Sequence, residues 1–115
     1  MCRLPPKGLR DNVPLAPLTT LELGGPARHV VEVDREATVA DSLRWGRELG
    51  LPVAVLGGGS NVVVADRGVD ALVLRIGLRG VTVETAGDTV LVTAAAGEPW
   101  DELVERCVAE DWAGV

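Results

Sequence analysis

Apolar positions along this chain change their spacing several times, and each change marks a different element. The run Arg28 to Val33, RHVVEV, is short and β-branched, which predicts a strand. Val39, Leu43, Gly46 and Leu49 then recur at helical spacing, with Thr38 and Asp41 in the relation of a capping box and Gly50 as a stop. PVAVL, opening at Pro52, is continuously apolar, as in a strand buried on both faces of a parallel sheet. Strand, helix and strand in this order predict a right-handed crossover unit. ALVLRI, residues 71–76, reads as another buried strand. From Gly80 the apolar positions alternate, Val81 and Val83, then Val90 and Val92 across a turn near Gly87-Asp88, which predicts an antiparallel hairpin. Behind Pro99, placed for a first helical turn, Trp100, Leu103, Val104, Cys107 and Val108 share one helical face, with Asp101, Glu102, Glu105 and Arg106 opposite. The predicted class is α+β: a small parallel βαβ unit followed by an antiparallel hairpin and a helix.

Residues 1–18 carry Pro5, Pro6, Pro14 and Pro17 without a usable period and read as an extended N-terminal arm, because proline forbids helix and weakens strand. Residues 19–115 form the domain proper. Its last helix has an apolar face with no following element to cover it, so the chain reads as the first portion of a longer domain. The same face, Trp100 to Val108, predicts self-association of the isolated segment.

Composition narrows the chemistry. A chain of 115 residues, 47% hydrophobic and 24% charged, has the make-up of a globular domain rather than a disordered tail or a rod. Its formal net charge of −6 offers no general field for nucleic acid or anionic lipid, and without Tyr or Phe it lacks the usual stacking platforms for single strands. Neither a membrane-spanning run nor a secretory leader is visible, so the expectation is a cytoplasmic protein with no nucleic-acid or membrane partner. Cys2 and Cys107 stand far apart beside one histidine, which indicates neither a disulfide framework nor a zinc site, and Cys107 reads as a buried small hydrophobe.

One short segment stands out. Gly57, Gly58 and Gly59, followed by Ser60 and Asn61, lie directly after the predicted strand ending in Val55 and Leu56. Three adjacent glycines cost about 0.5 to 1 kcal/mol each to order relative to alanine. Without Cβ atoms their N–H groups can form a concave nest for an anion, to which Ser60 and Asn61 add a hydroxyl and an amide donor. A diphosphate fits such a nest, and charge-assisted bonds of about 1.5 to 3 kcal/mol each could hold it against the net negative charge. The loop is neither a dinucleotide fingerprint, since position 62 is Val62, nor a P-loop, since no Gly-Lys-Ser/Thr ending follows. VVVAD after Asn61 opens a helix poorly, so no helix dipole is expected to contribute. A glycine-rich turn without a ligand remains the alternative from these residues alone.

Other candidates carry less. Gly24-Gly25-Pro26 is a sharp bend at a strand entrance, or a passage for a flat ligand. His29 reads as an ordinary strand residue with no carboxylate or nucleophile spaced to make it a base. Asp66 reads as a turn cap and Glu98 as an N-terminal helix acid. No set of nucleophile, base and orienting group is found.

In combination these motifs are specific. TLELGGPARHVVEV, then VLGGGSNVVVADRGVDALVLRI, then AAAGEPWDELVERCVAEDWAGV closely resemble the start of the bacterial UDP-N-acetylenolpyruvoylglucosamine reductases. The resemblance runs from about Thr19 to the end of the chain. It implies an FAD-binding domain of the para-cresol methylhydroxylase type, with noncovalent FAD whose diphosphate lies on Gly57, Gly58, Gly59, Ser60 and Asn61, and Val55 and Leu56 beside the cofactor. It also implies NADPH as hydride donor and UDP-N-acetylglucosamine enolpyruvate as the substrate converted to UDP-N-acetylmuramate in peptidoglycan precursor synthesis. The family's catalytic residues belong to segments beyond Val115, so none is assigned here, and the segment alone is expected to be inactive. Two other readings are an FAD-dependent alcohol or hydroxy-acid oxidase of the same cofactor fold, and a non-catalytic domain in which the glycines make only a turn.

Overall fold

The computed structural model describes residues 4–114, so Cys2 and Val115 lie outside the described residues. Two compact units divide after Gly77. The first contains strands β1 (Arg10–Pro14), β2 (Pro26–Val33), β3 (Val53–Leu56) and β4 (Val69–Ile76) and helix α1 (Glu36–Glu48). The second contains strands β5 (Val81–Ala86) and β6 (Thr89–Ala94) and helix α2 (Trp100–Ala109).

The sheet of the first unit has the order β1-β2-β4-β3. β4 runs parallel to both β2 and β3, in registers such as Val31 with Leu74 and Val55 with Leu74, whereas β1 is antiparallel to β2. The expected strand-helix-strand unit is therefore present in chain order, but β2 and β3 do not touch: β4 occupies the place between them. The proline-rich lead-in supplies β1 and a short 3-10 turn at Ala16–Leu18. A proline is tolerated at that position because β1 is an edge strand and Pro14 is its last residue.

Alternation along β2 and β4 sends side chains to two faces. On one face Val31, Val33, Leu72 and Leu74 pack with Trp45 of α1. On the other, Val30 and Val73 pack with Ala27, Leu15 and Leu56, flanked by Leu18, Val62 and Val64 from loops. A helix thus covers one face and loops cover part of the other. Burial of a Leu72-sized side chain contributes about 1.5 to 3 kcal/mol, so the centre of the sheet rests on β2 and β4 together.

Several sequence expectations change here. β3 is an edge strand with Val55 66% exposed, not a strand buried on both faces. Its apolar run misleads because an edge position and a central one carry the same composition. Helix α1 begins at Arg35 as N-cap with no side-chain cap, and Ser42 Oγ donates to Thr38 O at 2.6 Å, so the capping-box reading of Thr38 and Asp41 does not hold. The inward face of α1 is Ser42, Trp45 and Gly46, while Leu43 and Leu49 are exposed. Gly46 faces inward because helix and sheet approach closely: a Cβ there would come within 3.3 Å of Leu72 and Val53. The stop at Gly50 is as expected, with φ +66 and the paired bonds from Gly50 N–H to Arg47 O and from Leu51 N–H to Gly46 O.

In the second unit β5 and β6 form the expected hairpin, with Val83 opposite Val92 and Gly87-Asp88 as a two-residue turn. Pro99 is the N-cap of α2 rather than its first residue. Cys107 is buried, 2% exposed, and free. Past the C-cap Glu110, Asp111 takes φ +57 and Trp112 N–H donates to Cys107 O at 2.8 Å. No helix among the described residues is long and apolar enough to cross a membrane.

Candidate functional site

The glycine loop leaves the C-terminal end of β3 at Leu56, which is anchored in the core. Its side-chain direction decides what each flanking residue can offer. Leu56 is turned inward and can present only backbone to a ligand, whereas Val55, on the opposite face of the strand, leaves its side chain open.

The three glycines divide into two kinds. Beside Gly57 and Gly58 no atom lies within 4 Å of where a Cβ would stand. Gly59 is the reverse: it is buried, has φ +77, and a Cβ on it would collide with Leu18 O. Gly59 is therefore glycine for internal packing, and Gly57 and Gly58 for an open rim. Ser60 and Asn61 are exposed, and their side chains make no hydrogen bond among the described residues.

The backbone of the loop has unspent donors. Among the described residues none of the five N–H groups from Gly57 to Asn61 donates to a protein acceptor. Five neighbouring donors, with no Cβ at three of the positions and open space beside two of them, are a fit for an oxyanion of the diphosphate kind. The residues that follow, 62–65, are not helical, so the donors are those of the loop itself, as the sequence suggested.

A second segment reaches the loop from the lead-in. Thr20 N–H donates to Gly59 O at 3.0 Å, Gly25 N–H to Ala65 O at 2.9 Å, and Leu15 N–H to Gly25 O at 3.2 Å. Nothing in the spacing of the sequence announces the first two contacts, because they join backbone to backbone across some forty residues. Arg75 is likewise legible only from the register. It pairs across the strands with Leu56, and its Nη1 lies 2.9 Å from Glu32 Oε1, so its charge is already partnered.

The remaining candidates settle differently from their sequence reading. His29 does find a carboxylate: Asp11 Oδ1 lies 2.6 Å from its Nδ1 across β1 and β2, and its ring meets Trp45 edge-on at 5.2 Å. No nucleophile accompanies the pair, which belongs to sheet packing. Asp66 caps nothing with its side chain; the turn is closed by Gly68 N–H to Ala65 O at 2.9 Å. Glu98 is not a helix-end acid but an acceptor for Gly80 N–H at 2.6 Å, with Arg79 Nε 3.4 Å away. A cleft of about 390 Å³ opens between residues 4–7 and α1, lined by Lys7, Asp41, Arg44, Trp45 and Glu48. It lies on the helix-covered face, whereas the loop's anchor Leu56 packs on the other face.

Comparison with known proteins gives the family. Residues 27–115 match the family described as FAD binding domain. The chain is 44% identical over 105 residues to a UDP-N-acetylenolpyruvoylglucosamine reductase of Cutibacterium acnes, covering 90% of this chain and 28% of that protein. It is 46% identical over 102 residues to the enzyme of the same name from Saccharopolyspora erythraea, 88% of this chain and 28% of the relative. For the Pseudomonas aeruginosa protein of that name the identity is 41% over 108 residues, 93% of this chain and 32% of the relative. The chain thus spans roughly three tenths of the length of the relatives it matches.

Proposed function

This chain belongs to the FAD-binding domain family, and on that premise we propose that it is the cofactor-binding portion of an NADPH-dependent UDP-N-acetylenolpyruvoylglucosamine reductase. The domain is of the para-cresol methylhydroxylase type, residues 1–18 being its N-terminal arm and residues 19–115 its first portion. The protein acts in the cytoplasm on UDP-N-acetylglucosamine enolpyruvate, with UDP-N-acetylmuramate as product.

The observation that carries this reading is the row of five N–H groups without protein acceptors at Gly57 to Asn61, in a chain similar to proteins of that name. FAD, when bound, supplies a hydride carrier between a nicotinamide donor and the enolpyruvyl double bond. This chain's own residues do the holding. The amides of Gly57 to Asn61 bind the diphosphate, the Ser60 hydroxyl and Asn61 amide add donors at its edge, and Leu56 fixes the loop to the core. Val55 presents an apolar side chain beside the cofactor. Because the chain spans roughly three tenths of the relatives' length, proton delivery and substrate binding are assigned to other parts of such a protein, and the segment alone is expected to have no reductase activity. Separately, Trp100 and Val108, 64% and 71% exposed on α2, support self-association of the isolated segment; light scattering showing a clean monomer would remove that element.

The test is Gly58→Glu in a protein of the relatives' full length. A carboxylate at the open rim repels the diphosphate, so FAD affinity by flavin fluorescence titration is expected to fall by at least about a hundredfold. Unchanged affinity would remove the diphosphate from this loop. A full-length protein that purifies without flavin absorbance and takes up none would instead favour the non-catalytic reading.

A further inference from the structure

Resting on that placement of the diphosphate, we propose that the lead-in segment from Leu15 to Pro26 is the positioning device of the glycine loop, so that FAD affinity depends on residues that touch no part of the cofactor.

The two glycine motifs of this chain interlock. Gly59 admits the backbone of Leu18 and Thr19, and its carbonyl accepts Thr20 N–H at 3.0 Å. Gly24 and Gly25 admit the returning strand of the loop. A Cβ on Gly24 would stand 2.9 Å from Val64 Cγ1, and one on Gly25 would collide with Asp66 O. Gly68 in turn admits Pro26, where a Cβ would meet the Pro26 carbonyl. Each of these glycines is spent on a contact between the lead-in and residues 59–68, and none on the open rim at Gly57 and Gly58. The bend at Gly24-Gly25-Pro26 is consequently not a passage for a flat ligand: the space beside it is filled by residues 64–68.

Thr19 holds the lead-in in the shape that makes this fit. It is buried, and its Oγ1 lies 3.2 Å from Ala16 O and 3.5 Å from Leu23 O, so the hydroxyl stands between the 3-10 turn and the approach to Gly24 and can donate to either. One hydroxyl proton serves one carbonyl at a time, and valine, equal in shape, serves neither. If this tie loosens, Thr20 and Gly25 lose their fixed positions, and the N–H groups of the neighbouring loop are no longer pre-aligned for an anion.

The deciding experiment uses the full-length protein with Thr19→Val, Thr19→Ser and Gly58→Glu. FAD affinity is titrated by flavin fluorescence, the melting of each apoprotein is recorded, and amide exchange is followed at Thr20 and Gly25. Thr19→Val is expected to weaken FAD about tenfold while Thr19→Ser stays within about twofold of the parent. By linkage, FAD should slow exchange of the Thr20 and Gly25 amides in the unmutated protein, since both are spent on Gly59 O and Ala65 O. A folded Thr19→Val protein with full affinity, or Thr20 exchange indifferent to FAD, overturns the positioning role; should Thr19→Val fail to fold, the exchange measurement decides. Loss of FAD in Gly58→Glu with no effect in Thr19→Val sinks this inference alone. Retention of FAD in Gly58→Glu sinks the diphosphate placement beneath it.

Discussion

Glu98 accepts the backbone N–H of Gly80 on Oε1 at 2.6 Å, binding two points eighteen residues apart in the chain. The carboxylate is only 14% exposed and also lies 3.4 Å from Arg79 Nε. Gly97 N–H to Leu78 O and Ala95 N–H to Gly80 O close the same junction, so the turn before β5 and the approach to α2 are pinned together. Removing the acceptor leaves a donor without its partner. Glu98→Ala is expected to cost about 1 to 3 kcal/mol and Glu98→Gln clearly less, since the amide oxygen can still accept. Urea unfolding midpoints would check this; equal costs for both variants would show that packing, not acceptance, matters there.

The unlike surroundings of Gly57 and Gly59 give a paired forecast. Gly59→Ala must force a Cβ against Leu18 O at a φ of +77, and a loss of about 2 kcal/mol or more in apoprotein stability is expected. Gly57→Ala meets nothing within 4 Å and should change apoprotein stability by less than about 0.5 kcal/mol. Thermal melts of the two apoproteins compare them directly. Equal destabilisation would mean that the open rim at Gly57 is not open in solution.

His29 joins an exposed partner to a buried one, and its two contacts should separate on mutation. Asp11, largely solvent-exposed, is held at 2.6 Å from Nδ1, and Asp11→Asn is expected to cost less than about 1 kcal/mol. The edge-on ring contact to Trp45, at 5.2 Å and 83°, lies deeper, so His29→Ala should cost more and uncover the indole. A red shift of Trp45 emission in His29→Ala, absent in Asp11→Asn, is the expected signature. The reverse order would move the anchor of β1 to the carboxylate.

Local pattern made the elements legible, and tertiary placement was not. Val81, Val83, Val90 and Val92 revealed a hairpin because period two is written directly into neighbouring residues. Gly50 announced its helix end because the left-handed position after a helix excludes most other residues. By contrast, Val53 to Leu56 gave no sign of lying at an edge, since the strand beside it is supplied by residues 69–76, beyond an intervening loop. Leu43 and Leu49 fit a helical stripe, but Gly46 lets α1 approach the sheet so closely that Trp45 and Ser42 take the inward face. The glycine loop was visible as a candidate from composition. The division between Gly59 and its two neighbours was not, because it depends on where Leu18 arrives, and distant backbone leaves no local mark.

The insertion of β4 between β2 and β3 bears on how the protein is made. Until Val69 to Ile76 have emerged from the ribosome, β2 and β3 have no common neighbour, and the apolar side of α1 has neither Leu72 nor Leu74 to rest on. Synthesis is therefore expected to carry some seventy residues in a protease-sensitive state before a single late strand closes the sheet. Arrested nascent chains should turn from digestible to resistant only when Ile76 has cleared the exit tunnel, and resistance in shorter chains would show that an earlier nucleus exists.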